Sequence, residues 1–231
     1  MFFCWRECKK SIGILKRFHF LEGCCIKPKA DKSTTFQFRT FSIRKNHIIC
    51  TMQLWDDIRN YFYRKNIEKK LEGLKPERIL TNLHDAKTIG IVYNSTNPDN
   101  DIIITKFTEH LRTEGKTVDI LGFVDDKKID HKADVLIFNT KNLSWNRTPD
   151  DERVEKFAAK NFDLLFAAFT EENFPLEYVA RTSKAKWRLG IFDEKKTDYY
   201  DMMINMSGKS DLQHFLNQST HFLNKIQYDS K

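Results

Sequence analysis

Leu164-Leu165-Phe166-Ala167-Ala168-Phe169 places six apolar residues in succession. A strand with one wet face alternates apolar and polar side chains. An unbroken run suits a strand covered on both faces, as in a parallel sheet between two helical layers. The residues that follow fit that setting. Glu171-Glu172-Asn173-Phe174-Pro175 offers an N-cap asparagine, a proline suited to a first helical turn, and acids for the positive end of a helix dipole. Leu176, Val179, Ala180 and Ser183 then recur at helical spacing, with Glu177, Arg181 and Lys184 off that face. Trp187, Leu189 and Ile191 alternate as a strand, and Gly190 permits a bend or a close approach. Residues 162–192 therefore predict a β-α-β unit, with the right-handed crossover such units adopt.

The flanking chain repeats the pattern. Strands are expected at 88–94, 117–124, 133–139 and 202–206, and helices at about 100–114, 152–160 and 210–227. Gly115 is placed to end the first of these helices. The fold class is α/β: one three-layer, Rossmann-like or flavodoxin-like domain with a mostly parallel sheet, preceded by an amphipathic helix. Leu164, Phe166, Ile137, Ile89, Ile91, Leu176, Val179 and Phe222 are expected in the core.

The net charge of +7 is unevenly spread. Residues 1–51 hold 11 of the 39 Lys and Arg and 3 of the 32 Asp and Glu, which leaves 28 basic and 29 acidic residues in 52–231. A basic chain ordinarily suggests nucleic acid or a membrane surface, but here the excess lies in the leader. The five cysteines, Cys4, Cys8, Cys24, Cys25 and Cys50, lie there too, against a disulfide scaffold running through a core. The leader has no apolar core or small-residue cleavage site of a secretory signal. It is expected to be a disordered or upstream extension, with translation starting at Met52. The expected organisation is 1–51 as that extension, 52–85 as a basic helix and linker, and 86–231 as the α/β domain. No run of about 18 apolar residues suggests a membrane span, and a cytoplasmic location is expected.

Motifs of common chemistry are missing. The first β-α turn, Asn94-Ser95-Thr96-Asn97-Pro98-Asp99-Asn100-Asp101, has no glycine and two aspartates where a nucleotide-binding fold would cradle a phosphate. His214 and His221 are seven residues apart, too far for the usual helical zinc pair. There is no G-x-S-x-G elbow, and residues 52–231 contain no cysteine nucleophile. No catalytic residue, cofactor, metal or specific DNA motif is expected.

Two candidate surfaces remain. Residues 53–72 predict a helix with Leu54, Ile58, Phe62, Ile67 and Leu71 on one face and Arg59, Arg64, Lys65, Lys69 and Lys70 around it. This helix could dock a protein or an anionic partner such as RNA, the ribosome or a membrane surface, or lie solvated against its own domain. The second surface is the C-terminal edge of the sheet, where open α/β folds bind ligands. Asn94, Ser95, Asn139, Glu172 and Asn173 are its candidates, although turn and helix-start chemistry also accounts for them. Trp145, in a polar loop, is either a binding anchor or a side chain closing the core's edge.

Residues 52–228 resemble an uncharacterised family of small Bacteroidota proteins, a domain of unknown function. The resemblance rests on the basic first helix, Ala86-Lys87-Thr88-Ile89-Gly90-Ile91, Val118–Val124, Asn142-Leu143-Ser144-Trp145, Asn173-Phe174-Pro175-Leu176, Ser183-Lys184-Ala185-Lys186 and Tyr200-Asp201-Met202-Met203-Ile204. It implies no activity. Residues 161–190, with Phe162-Asp163-Leu164-Leu165 and Ala185-Lys186-Trp187-Arg188-Leu189-Gly190, are also similar to a segment of heptosyltransferase-like glycosyltransferases. That likeness implies the fold only, since those enzymes need a second Rossmann domain for which this chain is too short.

Overall fold

The computed structural model describes residues 40–74, 76–127, 135–206, 208 and 211–226, with only the backbone of 40–53. The leader before residue 40, His131, the expected strand start at Ala133, and the expected ends of the last helix at Ser210 and Gln227 lie outside the described residues. The chain divides into two units, Met1–Asn46 and His47–Lys231; the second carries the fold. Helix α1 is Thr40–Glu72. Then come β1 (Thr88–Asn94), α2 (Pro98–Thr113), β2 (Thr117–Val124), β3 (Leu136–Asn139), α3 (Glu152–Ala158), β4 (Leu164–Ala168), α4 (Phe174–Thr182), β5 (Trp187–Ile191), β6 (Met202–Ile204) and α5 (Leu212–Lys225).

All six strands join one sheet in the order β3-β2-β1-β4-β5-β6, and every pairing is parallel. This is the Rossmann order. A flavodoxin sheet would place β1 between β2 and β3. The apolar run that became β4 lies beside β1 at the centre, and all five of its residues are buried. Alternation along the strands divides the core in two. Ile89, Ile91 and Tyr93 of β1 and Leu164, Phe166 and Ala168 of β4 face α2 and α5. Val92, Leu165 and Ala167 face α3 and α4.

Local chemistry sets the helix ends. The Asn97 side chain accepts from the Asp99 N–H, Pro98 fills the first turn of α2, and Asp99 and Asp101 sit at its positive end. Gly115 follows that helix at φ +79°, a left-handed conformation costly for other residues. Asn173 caps α4 through the Leu176 N–H. Gly190 is a close approach, because a Cβ there would lie 2.4 Å from the Tyr200 ring.

Asp163 clamps the N-terminal ends of the three central strands. Its carboxylate accepts from the Lys87 and Thr88 N–H groups, the Thr88 hydroxyl and Lys186 Nζ, at 2.8–3.0 Å. Partial burial pushes its pKa up, but Lys186 and these N–H donors outweigh burial and hold it at about 2.

Two packing expectations are corrected. Phe222 is exposed, edge-on to His221. The buried stripe of α5 is Leu212, Phe215, Leu216, Ser219 and Leu223, and Phe222 lies one position off it. The inner side of α1 consists of buried Tyr63 and Ile67 with partly buried Leu71, packed on Phe174 and Tyr178. Leu54 and Phe62 are exposed. The expected stripe stepped five residues from Phe62 to Ile67, which turns about 140° around a helix of 3.6 residues per turn.

Candidate functional site

The order of the strands reverses between β1 and β4, and at the C-terminal edge of the sheet a Rossmann fold opens a crevice at that point. The β1–α2 turn on one side is tied to itself. Asn94 Oδ1 accepts from the Thr96 N–H, and Asn100 Nδ2 donates to the Asn94 carbonyl. The Ser95 N–H donates to the Phe123 carbonyl at 2.8 Å, and the Asp125 N–H to Thr96 Oγ1. The Ser95 and Tyr93 hydroxyls both donate to Asp101 Oδ1, at 2.6 and 2.7 Å. Burial pushes the Tyr93 phenol pKa upward, so it stays a donor. Ser95 thus works inside the turn and is itself buried.

Opposite this turn lie Ala168, Phe169, Thr170 and Glu171, with Asp211 and Leu212 at the start of α5. Together with Asn94, Thr96, Asn97, Asp99, Asn100 and Ile103 they line a cleft of about 510 Å³. Its rim holds the carboxylates of Asp99, Glu171 and Asp211 and the amides of three asparagines. The starts of α2 and α5 both point here, yet each already has a capping side chain, Asn97 and Asp211. An anion would meet three carboxylates and no glycine cradle.

Of the candidate ligand residues, Asn94 lines this cleft. Asn173 caps α4. Glu172 is exposed and lies 3.5 Å from Lys196 Nζ, which also reaches the buried Glu177 at 2.7 Å. Burial raises the Glu177 pKa, and the nearby Lys196 and Arg181 oppose that rise. Asn139 ends β3, two strands from β1. Its side-chain oxygen accepts from the Lys141 N–H, and its buried Nδ2 has no hydrogen-bond partner. The structure therefore brings Asn94 into the cleft and leaves Asn139 apart from it. Sequence reasoning did not single out Thr170 or Asp211, because their approach depends on strand order and on where α5 returns. Among the described residues, no group of three or more His, Cys, Asp or Glu could hold a metal ion.

The second surface is α1. Its inner side is fastened to the domain beyond Tyr63 and Ile67. The Tyr63 hydroxyl donates to the Phe174 carbonyl at 2.7 Å, Asn66 Nδ2 to Thr148 Oγ1, and Arg147 pairs with Asp56 at 2.8 Å. Of the basic candidates, Lys70 pairs with Glu155 at 2.9 Å, Lys65 with Glu68 at 3.6 Å, and Arg59 with Asp56 at 3.8 Å. Arg64 and Lys69 are exposed.

The outer side of α1 carries rings. Leu54, Trp55, Tyr61, Phe62 and Trp145 are each 45–65% exposed. Trp145 packs edge-on to Phe62 at 5.1 Å between centroids, so the loop after β3 extends the face of α1. Trp145 therefore lies on the outside of the core rather than closing it. Trp55 and Tyr61 were not among the sequence candidates. Their signal was the spacing 54, 55, 58, 61, 62, a second apolar stripe on a helix that already had one.

No helix among the described residues is long and apolar enough to cross a membrane. No curated protein matches the chain. The family model for a family of unknown function, DUF6913, matches residues 59–226, from the middle of α1 to the end of α5, and the chain belongs to that family.

Proposed function

We propose that the protein is a non-enzymatic cytoplasmic interaction module that docks a protein partner through the outer face of α1 and Trp145. One observation carries this reading: five large hydrophobic side chains, three of them Trp or Tyr, lie together in water on one face. Such rings dominate binding energy at protein interfaces, with arginine beside them, and Arg59 and Arg64 flank this face. The ion pairs along α1 offset much of its positive charge, so the rings rather than the charges would carry the docking. RNA is the competing partner class.

A photo-crosslinking residue in place of Tyr61, in the full chain in its native cell, tests this. Position 225 on α5 serves as a control. Protein adducts specific to position 61, lost on Trp55→Ala with Trp145→Ala, support the reading. Adducts no different from those at 225, or adducts to RNA alone, overturn it.

A second reading rests on the 510 Å³ cleft, which has the location and size of a small-ligand site. Its acidic rim disfavours a sugar-nucleotide donor and favours a neutral or cationic ligand. A thermal-shift series comparing nucleotides with small amines tests it, and stabilisation by nucleotides alone would refute that ligand class.

A further inference from the structure

We infer that the docked partner is a second copy of this chain, paired antiparallel across α1 about a two-fold axis at Ile58. This rests on the docking reading above and names the occupant of the same face.

A two-fold interface must be self-complementary: if residue i of one copy meets j of the other, j must meet i. The outer stripe meets that condition. Leu54, Trp55, Ile58, Tyr61 and Phe62 stand at −4, −3, 0, +3 and +4 around Ile58. An antiparallel crossing there sets Leu54 against Phe62 of the second copy, Trp55 against its Tyr61, and Ile58 against its Ile58. The same register sets Asp57 opposite Arg59 of the second copy, twice by symmetry. Asp57 is exposed, and Arg59 has Asp56 at 3.8 Å, near the limit of an ion pair. Among the described residues, the side chains that fasten α1 to α4, Tyr63 and Ile67, lie on the opposite side of the helix, about 140° and 180° around it from Ile58. Trp145, beside Phe62, would cover Leu54 of the second copy.

The available area agrees. Aromatic side chains bury about 150–250 Å² each. The exposed fractions of the four rings therefore supply roughly 450 Å² of apolar surface per copy, and Leu54 adds to it. A standard interface buries about 800 Å² per partner, of which about 57% is apolar, or roughly 450 Å².

Sedimentation velocity of the full chain in reductant, over a dilution series, tests the pairing. The expected result is a dimer that dissociates on dilution. Trp55→Glu with Phe62→Glu should give a monomer with unchanged circular dichroism and the urea midpoint of wild type diluted to its monomer. Asp57→Arg should weaken the dimer roughly tenfold by placing like charges across both symmetric contacts. Adding Arg59→Asp should restore it. A chain that is monomeric throughout, a dimer indifferent to the double glutamate variant, or an Asp57→Arg defect that Arg59→Asp does not rescue would overturn the proposal. A monomer that still yields protein adducts from position 61 refutes self-pairing and leaves the docking reading standing. A monomer with no such adducts refutes both.

Discussion

Replacing Asp163 by asparagine should weaken the fold at neutral pH and lose its effect in acid. The carboxylate gathers four donors at the N-terminal ends of β1, β4 and β5, on the edge opposite the cleft, so the substitution tests the fold alone. Its folded pKa is about 2, against about 3.9 for an ordinary aspartate. A tenfold change in proton affinity is worth about 1.4 kcal/mol, so the gap between the folded and unfolded carboxyl is about 2.5 kcal/mol. The side chain is 16% exposed, and solvent screening reduces this to about 1–2 kcal/mol. The sign follows from the depressed pKa. The stabilisation is present above the unfolded value near pH 4 and is lost as pH falls through the folded value near 2. Urea unfolding followed by circular dichroism, at steps from pH 7 to pH 2.5, should show the difference between wild type and Asp163→Asn constant down to about pH 4.5 and shrinking below it. A difference that is independent of pH, or that grows in acid, would refute the reasoning.

Lys196→Met removes the cation from the buried Glu177, leaving its carboxylate without that partner. We expect a cost of about 3 kcal/mol at pH 7. The cost should shrink as pH falls, because burial raises the Glu177 pKa and protonation removes the unpaired charge. Equal urea midpoints for wild type and variant at pH 7 would contradict this. Gly190→Ala drives a methyl group into the Tyr200 ring and should cost about 1–3 kcal/mol. A wild-type midpoint would show that the ring moves aside freely.

Most of the fold was legible in the residues. Leu164–Phe169 has no polar member, which suits a strand with both faces covered, and β4 lies mid-sheet. Asn97-Pro98 and Asn173 announce their helices through side-chain chemistry that acts within four residues. Contacts set by distant chain were harder to read. Phe222 and Leu223 are adjacent on α5, and which of them meets the core depends on how α5 rests on α2. On α1, Phe62 and Tyr63 present the same ambiguity, since the helix has apolar residues on two sides and only the docked domain selects one. Asn94 and Asn139 end equivalent strands, yet strand order admits only Asn94 to the cleft. The loop after β3 carries Trp145 to Phe62, a meeting of residues 83 positions apart that no local spacing encodes.

The return of α5 to the centre of the sheet bears on the order in which the chain becomes stable during synthesis. The buried residues of the core under α3 and α4 run no further than Ala185, with Tyr200 packed against them. The core under α2 draws on Leu212, Phe215, Leu216 and Leu223. A nascent chain that has emerged through β5 can therefore close most of one layer while the other, with Ile89, Ile91 and Phe166, is covered by α2 and still lacks α5. That half-covered sheet presents a broad apolar surface of the kind that recruits chaperones or promotes aggregation, until the last helix clears the ribosome and covers it.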